Sequence, residues 1–174
     1  MKKELKKVSL FDAEGLAKMN LTDEQRAMLV SDYVEGLCYF YCLAYLGDTV
    51  YGVSDMDVDY YLTSYGKEYG PPVSGNPPTL GVSDMGIIQK FTGQNFDTAT
   101  VEISNMSEFL VLSNRILAGI KISDGQGGVS DHAVVIVGYD SAKNEYCYYD
   151  PAYEQEFTKP ANDFTFVLGV TGVK

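Results

Sequence analysis

Apolar positions recur at helical spacing through the first two thirds of the chain, then alternate or run together between turn residues in the last third. Residues 20–36 open with Thr22 and, three positions on, Gln25, which is capping-box spacing. Ala27, Met28, Val30 and Val34 follow, so this stretch predicts a helix ending near Gly36. From Leu37 to Leu46 nearly every residue is apolar and the run stops at Gly47, which predicts a short helix over 37–50 buried on most sides. Its aromatic content makes a strand the competing assignment. Between 51 and 82, Pro71, Pro72, Pro77, Pro78 and interspersed glycines predict a long loop with room for one helical turn. Loops of that length in small domains often face a substrate. Helices are predicted again over 83–93, from Ser83 as cap to Gly93 as stop, and over 104–119, where Phe109, Leu112 and Ile116 share a face.

After Gly119 the period changes. Residues 120–123, 132–140, 145–150, 156–159 and 164–170 are rich in Val, Ile, Tyr, Phe and Thr and are separated by turn residues, which predicts strands. Helices first and strands last predict an α+β fold, with N-terminal helices packed on a C-terminal antiparallel β-sheet. The polar stretch 140–145 predicts a turn joining 132–139 and 145–150 in a hairpin. Cross-strand partners then sum to about 284–286, which sets His132 opposite 152–154 and Asp150 within about one pair of it. Acid and imidazole therefore meet at one end of the hairpin.

Composition narrows the partners. Of 174 residues, 45% are hydrophobic, enough for one domain over 1–174, with 1–36 read as a helical N-terminal extension. With 24 acidic and 13 basic residues the net charge is −11, which argues against nucleic acid and anionic bilayers as partners. No run is long enough for a membrane span. The N-terminal lysines precede no apolar stretch of signal-peptide type, so a cytoplasmic location is favoured, and secretion requires that a signal has been removed. Cys38, Cys42 and Cys147 are an odd set without a disulfide or zinc spacing, and no metal or cofactor is expected. Asp55, Asp57 and Asp59 alternate like a calcium loop, but Tyr60 and Gly66 stand where its glycine and its last acid belong, so a solvated acidic loop is expected. The glycine-rich 123–131 lacks the Lys-Ser/Thr of a phosphate loop and reads as a turn flanking His132.

His132 is the only histidine. A carboxylate beside it would fix its tautomer and raise its basicity, and a thiol would complete a nucleophilic site. Cys38 opens its helix, where partial positive charge favours a thiolate; Cys42, one turn further in, is the alternative nucleophile. The plain alternatives are a histidine closing a strand end, an Asp-Pro turn at Asp150 and a buried apolar thiol.

In order along the chain, Cys38-Tyr39-Phe40-Tyr41-Cys42-Leu43-Ala44, "GVSDMGIIQKFTG" (81–93), "FLVLSNRILAGIKIS" (109–123), "HAVVIVGYD" (132–140) and "YYDP" (148–151) resemble the papain-like cysteine peptidases of the C39 type, which include bacteriocin-leader-processing domains. The resemblance implies a papain-like fold with a central Cys helix, a peptide or protein substrate, Cys38 as nucleophile, His132 as general base and then acid, and Asp150 as the orienting carboxylate. The family places a Gln about six residues before its Cys; this chain has Asp32 there, leaving Tyr33, Tyr39 or a backbone N–H as oxyanion or substrate-flanking donors. It also has Tyr39-Phe40 where Gly-Pro is usual. Those two departures motivate the other expectation, a papain-like fold without catalysis that serves as a binding module.

Overall fold

In the computed structural model, residues 38–69, 85–123, 129–151 and 153–174 are described. The expected helix over 20–36, the candidates Asp32 and Tyr33, most of the proline-rich loop and residues 124–128 of the glycine-rich turn lie outside them.

Helix α1 (Cys38–Ala44) runs into a wider π-type turn (Tyr45–Val50), followed by α2 (Val58–Tyr69) and α3 (Met85–Asn95). Strand β1 (Phe96–Ala99) precedes a 3₁₀ turn (Ile103–Asn105) and the single turn α4 (Met106–Phe109). Strands β2 (Arg115–Ser123), β3 (Val129–Asp140), β4 (Glu145–Asp150), β5 (Gln155–Lys159) and β6 (Phe164–Val173) complete an antiparallel six-stranded sheet of order β1-β6-β2-β3-β4-β5. The fold is α+β. No helix among the described residues is long and apolar enough to cross a membrane.

Three expectations need correction. The loop predicted from 51 contains α2, three turns long, because Val58, Tyr61 and Tyr65 fall on one buried stripe and the Asp57 carboxylate caps its start by accepting the Tyr60 N–H at 2.9 Å. The helix predicted over 104–119 is helical only to Phe109. Leu112 adopts a left-handed φ of 52°, and Arg115 onward is strand. Gly93 does not stop α3, which continues to Asn95 and leads into β1, a short edge strand the sequence reading omitted.

The sheet centre is buried on both faces. On one face Leu117, Ala133, Val135, Leu168 and Val170 pack under α1, α2 and α3; on the other, Ile116, Ala118, Ile120, Val134 and Ile136 form a second core with Met106 and Phe164. Strands covered on both sides read as continuous apolar runs rather than alternating ones, which is how 115–119 came to look helical.

Close packing at Gly169 is testable. A methyl there would stand 2.6 Å from Phe109 Cζ and 2.8 Å from the Ala99 carbonyl oxygen, a backbone atom that moves only with its strand. Gly169→Ala is expected to cost about 1–3 kcal/mol in urea denaturation. Gly138→Ala, which faces open space, should stay within about 0.5 kcal/mol of the wild type.

Candidate active site

Aromatic packing fixes the Cys helix. Phe40 meets Tyr65 of α2 edge to face at 5.1 Å, and Tyr65 meets Phe91 of α3 likewise at 5.1 Å. The Tyr39 hydroxyl lies 2.6 Å from Thr92 Oγ1 and donates to the Ile88 carbonyl at 3.3 Å. These contacts pin α1 to α3 through a fully buried phenol, whose pKa burial pushes far up. Tyr39 therefore braces the helix, and its hydroxyl is not placed to serve as the oxyanion donor expected of it.

At the other side of the site the hairpin turn is built as its sequence suggests. Asp140 Oδ1 accepts the N–H groups of Ala142 (3.0 Å) and Lys143 (3.3 Å), and Asn144 takes the left-handed φ of 53° that the reversal needs. Strand pairing runs Asp140↔Glu145, Gly138↔Cys147, Ile136↔Tyr148 and Val135↔Tyr149, with one bulge between Ile136 and Gly138. Continued past Tyr149, this register sets Asp150 beside Val134 and therefore two residues along β3 from His132, on the same side of the strand.

The two side chains meet. His132 Nε2 stands 2.6 Å from Asp150 Oδ1, and both residues are buried. Cys38 comes to the pair from α1: its Sγ accepts the N–H of Ala133, the residue next to His132, at 3.2 Å, and its influence on the imidazole helps to raise the His132 pKa. With Nε2 held by the carboxylate, Nδ1 is the ring nitrogen left for a second partner. β4 stops at Asp150, and the next residue, Pro151, has no N–H with which to continue the ladder.

Burial by itself would depress the imidazole pKa, yet the hydrogen bonds from Asp150 and Cys38, with their charges, outweigh it and push His132 up to about 10. At neutral pH the ring is therefore an imidazolium, placed beside Asp150 and Cys38. Cys42 is completely buried one turn further along α1, and burial, followed by the charges of Cys38 and Asp150, pushes its thiol well up. Cys147 is half-buried on β4, and all three cysteines are free.

Of the residues singled out by sequence, the structure joins Cys38, His132 and Asp150, keeps Cys42 adjacent but sealed, and turns Tyr39 away. The Ala133 N–H on sulfur was missed, and a backbone donor carries no side-chain signal by which to find it. No protein-family model matches the chain, and no curated protein matches it.

Proposed function

We propose that the protein is a thiol-dependent amide hydrolase, a cysteine peptidase of papain-like type acting on a peptide or protein. The observation that carries this reading is the buried His132–Asp150 pair at 2.6 Å with the Cys38 sulfur held on the N–H of the adjoining Ala133 at 3.2 Å. Cys38, as thiolate, attacks the amide carbonyl carbon; a C–S bond forms and the π electrons move to oxygen. The Cys38 backbone N–H is the donor this reading assigns to that oxyanion, in place of the family's Gln. As the carbonyl re-forms, the C–N bond breaks and the departing amine takes a proton from His132. Neutral His132 then removes a proton from water, which attacks the thioester and releases the acid product and the sulfur. Three free thiols fit a reducing compartment, and we place the protein in the cytoplasm.

One observation favours the second reading, a non-catalytic binding module. Cys38 is only 1% exposed and His132 5%, so a substrate must open a path to the sulfur. Alkylation separates the two. Exposure alone directs iodoacetamide to half-buried Cys147, whereas a sulfur activated by His132 directs it to Cys38. Peptide mass spectrometry after brief treatment at pH 7 is expected to find Cys38 modified about tenfold faster than Cys147. Modification of Cys147 alone, or equal slow modification of all three, would leave the binding module.

A further inference from the structure

Next to the triad lies a cleft of about 150 Å³. Its walls are tyrosines: Tyr41 from α1, and Tyr45 and Tyr149 stacked at 3.9 Å with their planes 9° apart. Asp48, Asp57 and Glu154 also line it, and no cation among the described residues does. The charge of Arg115 reaches Tyr45, but Arg115 is not part of the lining. Burial pushes the three phenols up, so they remain neutral π faces and add no anion of their own.

Size, position and chemistry converge. Sites for whole small molecules hold about 300–1,000 Å³, so this cleft suits a single side chain. Tyr41 and Tyr45 follow Cys38 by three and seven positions along the helix and its π-type continuation, which is about 5–10 Å at ~1.5 Å per residue. An extended peptide covers that in about one to three residues at ~3.3–3.6 Å each. Tyr149 and Pro151, both in the lining, flank Asp150. A side chain with a long apolar stem and a cationic head satisfies the whole lining, its stem against the rings and its head over a ring face and among the carboxylates. The chain's net charge of −11 draws such a ligand in from a distance.

We propose that this cleft binds the side chain of a Lys or Arg in the peptide the protein takes, one to three residues from the amide presented to Cys38. Its distance from Cys38 rests on the peptidase reading; its chemistry does not.

The test uses the full chain and a set of N-acetylated peptide amides in an Ala-Gly background, carrying Lys, norleucine or Glu at one position at a time. Norleucine keeps the apolar stem of Lys and lacks its ammonium. At one position Lys is expected to exceed norleucine about tenfold in kcat/KM, and likewise in calorimetric affinity for the Cys38→Ala protein, with the preference shrinking as salt is added. Asp48→Lys combined with Glu154→Lys should turn the preference toward Glu. The neutral pair Asp48→Asn with Glu154→Gln, which disturbs the fold less, should bring Lys down to norleucine. Equal values for Lys and norleucine, or a Lys preference that both double variants retain, would overturn the inference. Turnover of every peptide without a basic preference would remove the cleft's role and leave the peptidase. Selective Lys binding with neither turnover nor Cys38 alkylation would uphold the cleft and remove the peptidase.

Discussion

Cys38→Ala is expected to lower peptide hydrolysis at least about 10³-fold while the protein stays folded. On the peptidase reading, the sulfur of Cys38 is the nucleophile and has no substitute in this site. Cys42 lies four residues on with its thiol fully buried and pushed well up, and it has the carboxylate of Asp150 and the sulfur of Cys38 as its charged surroundings. A truncated Cys38 leaves the imidazolium and its acid in place but nothing to bond to the carbonyl carbon. The structural cost is small by comparison, because one sulfur leaves a helix start still held by Phe40 against Tyr65 and by Tyr39 against Thr92. Cys42→Ala is the matched control: it removes the same atom from the same helix and should keep hydrolysis within a few-fold of the wild type. Initial rates on a pooled peptide substrate, with a thermal melt of each variant, read both effects. Hydrolysis that persists in Cys38→Ala, or is lost in Cys42→Ala with the melt unchanged, would end the assignment of Cys38.

The half of the site carried by the hairpin was legible because its information is local. A polar turn over 140–145 and strand alternation on both sides fix a pairing sum, and the observed pairs Ile136↔Tyr148 and Val135↔Tyr149 sum to 284, at the edge of the expected range. A bulge between Ile136 and Gly138 shifts the register by one residue without separating the two groups. Cys38 joins the hairpin at Ala133, 95 positions along the chain, by packing that no local pattern encodes. Only its place at a helix start and the ordered resemblance to a family singled it out.

What was misread has a common cause. Residues 115–119 and 58–69 are both apolar at spacings compatible with more than one element, and tertiary cover decided between them. Leu117 and Ile116 face opposite cores, so the strand lost its alternation and looked helical. Tyr61 and Tyr65 pack under α1, yet their helix adjoins a proline-rich stretch that made the whole region read as loop. The tyrosines of the cleft were legible only as core and sheet residues. The stacking of Tyr45 on Tyr149 unites a helical turn and a strand far apart in sequence.

Asp150→Asn should separate the positioning role of the carboxylate from the chemistry of sulfur. The substitution keeps the shape and a carbonyl oxygen for the His132 Nε2–H at 2.6 Å but removes the charge that helps to hold the ring protonated. In the wild type the imidazole pKa, pushed up to about 10 from the ordinary 6.5, keeps His132 charged across the neutral range, so the alkaline fall in kcat/KM belongs near pH 10. Without the carboxylate, burial, which favours the neutral ring, has less to oppose it, and the alkaline limb should move down toward neutrality. A loss of about 10²-fold in kcat/KM at pH 8 is expected, smaller than that of Cys38→Ala. Stability follows the same group with a definite sign. Because the folded pKa is raised, the stabilisation is fully present below pH 6.5 and is lost as pH rises through about 10. Asp150→Ala removes the partner of a buried cation altogether and should cost about 3–5 kcal/mol in urea denaturation at pH 6, with much of that difference gone by pH 10. A pH–rate profile of Asp150→Asn that overlays the wild type apart from a vertical offset would show that the carboxylate does not set the protonation of His132, and with it would go the charged pair at the centre of the proposed mechanism.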